Sequence, residues 1–228
     1  MKRFLVFFLV LMLVVLGLSW QQLLGPKPTT DDLLPWRIEL LAEGRSRVFD
    51  VVLDKTPLMD VIARWGHQPQ LAIFQEPSGR RSLEAYFGRL RMGALEAHII
   101  TVLAADPATL ERMANAAVSE QAVPSGARKL ELREADRQQA FKLAVREINF
   151  IPLAAMQAAT LKQHFGPPAT TLPAGEQRVY WLYPEKGLVI LRDTASNKVA
   201  LHFIAPRAFG GLRARLHKAV TTQPTEQP

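Results

Sequence analysis

Thr56-Pro57-Leu58-Met59-Asp60-Val61-Ile62-Ala63-Arg64-Trp65-Gly66-His67-Gln68-Pro69 is the stretch from which the fold of this chain can be read. Leu58, Val61, Ile62 and Trp65 fall at i, i+3, i+4 and i+7, one face of a helix that Thr56 can cap and Pro57 can open. Gly66 ends it, Pro69 lies just beyond, and Leu71 to Phe74 reads as a strand. One hundred residues on, Ala158, Leu161 and Phe165 repeat the stripe, with Lys162 where Ile62 stood, and Gly166-Pro167-Pro168 ends that helix too. Both glycines are expected in the left-handed conformation, which lets the chain reverse so that the next strand packs back over the helix.

Each helix leads into a meander. After Gly166, Val179 to Tyr183, Leu188 to Leu191 and Lys198 to Ile204 read as strands, separated by turns at Pro184-Glu185-Lys186-Gly187 and Thr194 to Asn197. After Gly66, Gly88 to Arg91 and Ala94 to Ala104 flank a turn at Met92-Gly93. The expected fold class is α+β: two related helix-plus-antiparallel-meander lobes packed together, preceded by an N-terminal transmembrane helix. The lobes divide as 35–151, with a helical insertion, and 152–220.

The units Asp60 to Pro69 and Leu161 to Pro168, each followed by strands, resemble the repeat of the β-lactamase-inhibitor-protein fold and are similar to the small outer-membrane-assembly lipoproteins. The resemblance covers about 55–70 residues in each half and implies a binding module without catalysis. The chain lacks the acylated cysteine of those lipoproteins, so neither their location nor their partner carries over.

Outward from the repeat, Trp36 to Leu40 and Arg47 to Leu53 alternate as strands about a turn at Glu43 to Ser46, a hairpin that opens the folded part. Gln21 to Leu34, with Gly25, Pro26 and Pro28, reads as a tether, and 221–228 as a disordered tail. Between the halves, a helix is expected from Asp106-Pro107 to about Ser119, a short strand over Lys129 to Arg133, and a second helix from Ala135 to about Ala144. In Val145 to Ile151, Val145, Glu147 and Asn149 alternate against Arg146, Ile148 and Phe150.

At the N-terminus, Lys2 and Arg3 precede an unbroken apolar run, Phe4 to Leu18, closed by Ser19 and Trp20. The two positive charges hold this end in the cytoplasm, so the chain beyond Trp20 is translocated. Phe4 to Trp20 is 17 residues, at the lower bound of about 17–25 for a spanning helix and beyond the roughly 7–15 of a signal-peptide core. Residues 1–20 are therefore read as a retained signal anchor, single-pass in the inner membrane through 4–20, with the C-terminal domain periplasmic. The alternative is secretion to the periplasm after cleavage near Gly17-Leu18-Ser19.

The chain has no cysteine, which removes disulfides, thiolate chemistry and cysteine-type zinc sites. Its net charge of +7, of which Lys2 and Arg3 carry two, suits an anionic surface; nucleic acid does not fit the address. No nucleophile elbow, Ser-x-x-Lys or phosphate loop is present. The histidines His67, His98, His164, His202 and His217 show no i, i+4 pair. His67 and His164 beside the helix-ending glycines suit capping of the last carbonyls better than a shared metal site. No catalytic, cofactor-binding or metal residue is nominated, and no cofactor is expected.

Two features suit binding. Trp181 and Tyr183 share a strand face that is either core or an exposed aromatic hot spot. Arg207, Arg213 and Arg215, interleaved with Leu212 and Leu216 and followed by His217 and Lys218, form a basic amphipathic helix suited to a sheet or an anionic surface. The leading reading is a non-catalytic envelope binding module, anchored in the inner membrane and contacting another periplasmic or membrane protein through Trp181, Tyr183, Arg207, Arg213 and Arg215. The alternatives are a structural accessory subunit assembled through its transmembrane helix, and an exported hydrolase with an unrecognised site.

Overall fold

The computed structural model describes residues 30–124 and 126–222 as an α+β fold with antiparallel sheets. The apolar segment 4–20, most of the tether and nearly all of the tail lie outside these residues. Among the described residues no helix is long and apolar enough to cross a membrane. Strands β1 (Glu39–Leu41), β2 (Arg45–Val48) and β3 (Val51–Val52) make a small three-stranded sheet. The main sheet has ten strands: β4 (Gln70–Gln75), β5 (Arg81–Met92), β6 (Leu95–Leu103), β7 (Ser119–Ala122), β8 (Arg128–Glu131), β9 (Val145–Pro152), β10 (Thr170–Pro173), β11 (Arg178–Tyr183), β12 (Leu188–Asp193) and β13 (Val199–Ile204). Their order across the sheet is β10-β11-β12-β13-β9-β6-β5-β4-β8-β7. Where the sequence suggested a lobe boundary, β9 pairs with β6 on one side and β13 on the other, so the halves share one sheet.

Helix α1 (Leu58–Trp65) precedes β4, and α4 (Ala158–Phe165) precedes β10. Leu58, Val61, Leu161 and Phe165 all enter the main core. Thr56 does not cap α1: its hydroxyl accepts from the Val52 N–H at 3.0 Å. The first free N–H groups of the helix, from Leu58 and Met59, donate instead to the carbonyls of Leu143 and Phe141, each at 2.9 Å. Gly66 closes α1 in the left-handed conformation, at φ 70°, ψ 20°. Gly166 also has positive φ, but its ψ of −177° lies outside the left-handed helical region. The reason is local: Pro167 follows, and a residue before proline is driven to extended ψ. The two stops are therefore not equivalent.

Between β6 and β9 the chain inserts α2 (Pro107–Asn115), β7, β8 and α3 (Glu134–Ala140). Asp106 caps α2 by accepting from the Thr109 N–H. The helix ends four residues before the expected Ser119, which instead begins β7. At the N-terminal side, β1 starts at Glu39 rather than Trp36, whose ring stacks on His164 at 3.8 Å. Leu33 already packs on the core, so the folded part begins inside the segment expected as a tether.

Side-chain parity divides the main sheet into two faces. One carries Ile73, Leu83, Ile99, Ile148, Phe150, Ile190, Leu201 and Phe203 into the core shared with the helices α1–α4. Two bulges reset that parity. At Tyr86/Gly88 the register shifts, with Gly88 at φ 71°, so that Leu83, Ala85 and Phe87 and then Leu90 and Met92 all point inward. At Val102/Leu103 a second shift turns Val145 into the core beside Ile148 and Phe150, opposite to the plain alternation expected there. Helix α5 (Phe209–Thr222) lies on the other face, where Phe209, Leu212 and Leu216 pack on Leu182, Val189 and Ile204.

Asp136 ties α2 to the start of α3. It is 2% exposed and accepts from Arg112 Nη1 and Arg133 Nε, both at 2.7 Å. Burial alone would raise its carboxyl, but the two arginine contacts outweigh it and hold the group below the usual range. A depressed folded-state value gives stability that is present above the unfolded pKa of about 4 and is lost as pH falls through the folded value. Asp136→Asn is expected to destabilise the protein at pH 7 by on the order of 2 kcal/mol. That is less than for a fully buried pair, because both arginines are about half exposed. Urea unfolding at pH 7 and pH 3 should show the gap between variant and wild type narrowing at the lower pH; a gap that widens contradicts the assignment.

Candidate functional site: the uncovered half of the sheet

The outer face of β10–β13 is covered by α5, whose Arg215 also reaches Glu147 of β9, whereas among the described residues no helix packs on the outer face of β6, β5, β4 and β8. Register fixes what it presents. One row runs Gln70, Tyr86, Ile100, Asn149 and His202 from β4 to β13. The next runs Glu131, Ala72, Glu84, Val102, Glu147 and Ile204. Phe74 and Lys129 pair directly beside them.

One depression opens on this face and a second beside it at the strand ends, where α3 of the core face contributes to the lining. A recess of about 150 Å³ has Ala72, Phe74, Tyr86 and Ile100 as its apolar walls, with Glu84, Gln70 and Lys129 at its polar rim. A larger groove of about 530 Å³ runs from Gln70 and Lys129 past Ser119 and Gln121 to Glu134, Arg137 and Phe141 of the α3 region. Gln70 and Lys129 line both, so the two make one trough. From Tyr86 on β5 to Ser119 on β7 is three inter-strand steps, about 14 Å, the length of about four extended residues.

The charges in the trough are unevenly satisfied. Glu131 and Glu134 lie 3.8 and 3.5 Å from Arg137, and Glu131 also accepts from the Ser119 hydroxyl. Glu84 accepts from the Ser82 hydroxyl at 2.6 Å; its carboxyl is pushed up by burial, only partly offset by that hydrogen bond. Lys129 has no carboxylate partner among the described residues. Tyr86, 38% exposed, contacts His98 Nδ1 through its hydroxyl at 3.0 Å.

Beside the trough, Glu147 lies 2.8 Å from His202 Nε2 and 3.4 Å from Arg215 Nη2. The histidine contact is close without being aligned as a hydrogen bond. Burial raises the Glu147 carboxyl, but His202 and the charges of Arg215 and Arg80 outweigh it and hold it below the usual range. This cluster pins α5 to β9.

The residues nominated from sequence fall elsewhere. Trp181 and Tyr183 are 6% and 4% exposed, on the core face, so they offer no contact surface; this corrects the expectation of an aromatic hot spot. The Tyr183 hydroxyl donates to the Gly166 carbonyl, and burial pushes its pKa up to about 12. Arg207 pairs with Asp54 at 3.1 Å, next to the N-terminal hairpin, and Arg215 with Glu147. Arg213, exposed on α5, has no carboxylate partner among the described residues. The three arginines are thus not gathered into one site. His67 Nδ1 lies 3.1 Å from the Trp65 carbonyl at the end of α1, whereas His164 stacks on Trp36. Among the described residues no group of three or more His, Asp or Glu is arranged to hold a metal.

No family model, curated protein or solved structure matches the chain.

Proposed function

We propose that this chain is a non-catalytic envelope binding module, anchored in the inner membrane through residues 4–20, whose exported domain takes an extended segment of another envelope protein in the trough. The uncovered sheet half carries this reading: an apolar floor flanked by Gln68, Gln70 and Gln121, whose amides can both donate to and accept from a peptide backbone. Lys129 adds one cation for an acidic residue of the partner. Each half runs helix then four antiparallel strands, α1-β4-β5-β6-β9 and α4-β10-β11-β12-β13, and the two meet through β9 and β13. The exported-hydrolase reading has one observation in its favour, the raised Glu84 carboxyl in an apolar recess. It stands there without a histidine or second carboxylate in the same lining. Arg213 on α5 is retained as a second contact of the same module.

Photo-crosslinkers placed in whole cells at Tyr86 and Lys129 are expected to give the same discrete adduct in the membrane fraction, while one at Glu111 on α2 gives none. Phe74→Ser should weaken that adduct about tenfold, the equivalent of about 1.4 kcal/mol. Equal capture from all three positions, or indifference to Phe74→Ser, would place the binding face elsewhere.

A further inference from the structure

Arg192 stands on the core face of β12, 8% exposed, between Val179 of β11 and Val199 of β13. Its Nε is enclosed with no acceptor, and among the described residues the guanidinium has neither a hydrogen-bond partner nor a carboxylate within ion-pair distance. Its contact is a ring: Cζ lies 4.6 Å from the centroid of Trp181. Lys162 of α4 brings a second cation to the same ring, with Nζ 5.6 Å from the centroid. Lys162 too has no carboxylate partner among the described residues.

An enclosed guanidinium is ordinarily paired, since it cannot shed its charge as lysine or histidine can. A tryptophan face supplies part of the missing stabilisation but accepts none of the five N–H donors. Two cations at one ring with no counter-charge, Arg192 enclosed and Lys162 exposed to solvent, leave a positive field at the edge of the sheet's core, where an anion gains more than in open water. We propose that Arg192 and Lys162, held by Trp181, form a binding site for a compact oxyanion, a carboxylate or a phosphate. The planar fork of Arg192 suits both, and Lys162 closes the site as a point charge. The site lies on the opposite sheet face from the trough and is independent of it.

Titration calorimetry of the full chain in detergent tests this, with inorganic phosphate and with N-acetylglycine at constant ionic strength set by chloride. Saturable binding of at least one anion is expected. Phosphate alone would assign a phosphate-bearing ligand, and N-acetylglycine alone a terminal carboxylate such as that of a peptide. Arg192→Met, which keeps the stem on Trp181, should weaken binding by roughly tenfold or more, as loss of a charge-assisted pair does. If near-ultraviolet circular dichroism shows Arg192→Met to be unfolded, the more exposed Lys162→Gln decides, with a loss of about threefold or more. No saturable heat from either anion, or unchanged affinity in the deciding variant, overturns the site.

Discussion

Gly187→Ala is expected to destabilise the protein by about 2–5 kcal/mol, although the substitution adds only one methyl group in a turn. Gly187 follows a single 3-10 turn, Pro184–Lys186, that joins β11 to β12, and it has φ 62° and ψ 35°. Its carbonyl accepts from the Ile204 N–H at 2.8 Å, which draws the end of β13 over the turn. A Cβ at this position would lie 1.9 Å from the Ile204 carbonyl oxygen, and 3.1 Å from both the Ile204 carbonyl carbon and Pro206 Cδ. These are backbone and ring atoms that no rotamer change can remove. Left-handed strain contributes about 1–2 kcal/mol, and overpacking against fixed atoms about 1–3. For a chain of this size each kcal/mol lowers the melting temperature by about 2–4 °C, so a fall of roughly 4–20 °C is expected. Gly79→Ala provides the control: φ is 83° but nothing lies within 4 Å of its Cβ, so only the dihedral strain applies. Equal losses in the two variants would show that the close approach of β13 contributes nothing.

The turn at Gly187 was legible as a turn from Pro184-Glu185-Lys186-Gly187, but not the chain that crosses it. The same division holds across the fold. Helices α1 and α4 were readable because stripe, glycine and proline agreed within ten residues. Strand β5 was missed over Arg81 to Phe87 because its bulge puts Leu83, Ala85 and Phe87 out of phase with Leu90 and Met92. A single run of alternation therefore never exceeds a few residues. Val145 was assigned the wrong face for the same reason. Strand β7 shows no apolar pattern at all: Ser119 to Ala122 are exposed throughout, and their strand identity comes from pairing with β8.

The site was less legible than the fold. Correct parity put Trp181 with Tyr183, but parity alone does not say which face is core. That was decided by α4 and α5, which pack on opposite faces of the same strands. The trough residues Tyr86 and Glu84 lay in the unread part of β5. Ala72 and Phe74 lay within a strand whose apolar run concealed its two-sidedness. Arg192 gave no signal, because a charged residue at a strand end is ordinarily solvated. The Trp181 ring it contacts, and Lys162 at the same ring, are 11 and 30 positions away in the sequence.

Phe203→Ala should be the most damaging change at the seam where the two halves meet, with a loss of about 3–5 kcal/mol. Phe203 on β13 is 1% exposed and pairs with Ile148 of β9. Phe49 packs edge-on to its ring, with centroids 5.5 Å apart, and stacks on Phe150 of β9 at 5.2 Å. Phe49 is itself an unusual residue, fully buried at φ 53° in the two-residue turn between β2 and β3. A bulky L-residue held there is strained by about 1–2 kcal/mol, and Asp50 beside it, at φ 59°, shares that conformation. Aspartate tolerates that conformation, whereas no turn preference favours Phe49, so its contacts must hold it there. These are the two phenylalanine rings, the Trp65 Nε1 donated to the Phe49 carbonyl at 3.1 Å, and Arg64 on the Asp50 carbonyl. Removing the Phe203 ring leaves a cavity against Phe49 and withdraws one of those supports. The expected result is therefore twofold: a large global loss in urea unfolding, and faster amide exchange confined to β2, β3 and the end of α1. A global loss without that local signature would mean that the hairpin is held independently of the seam.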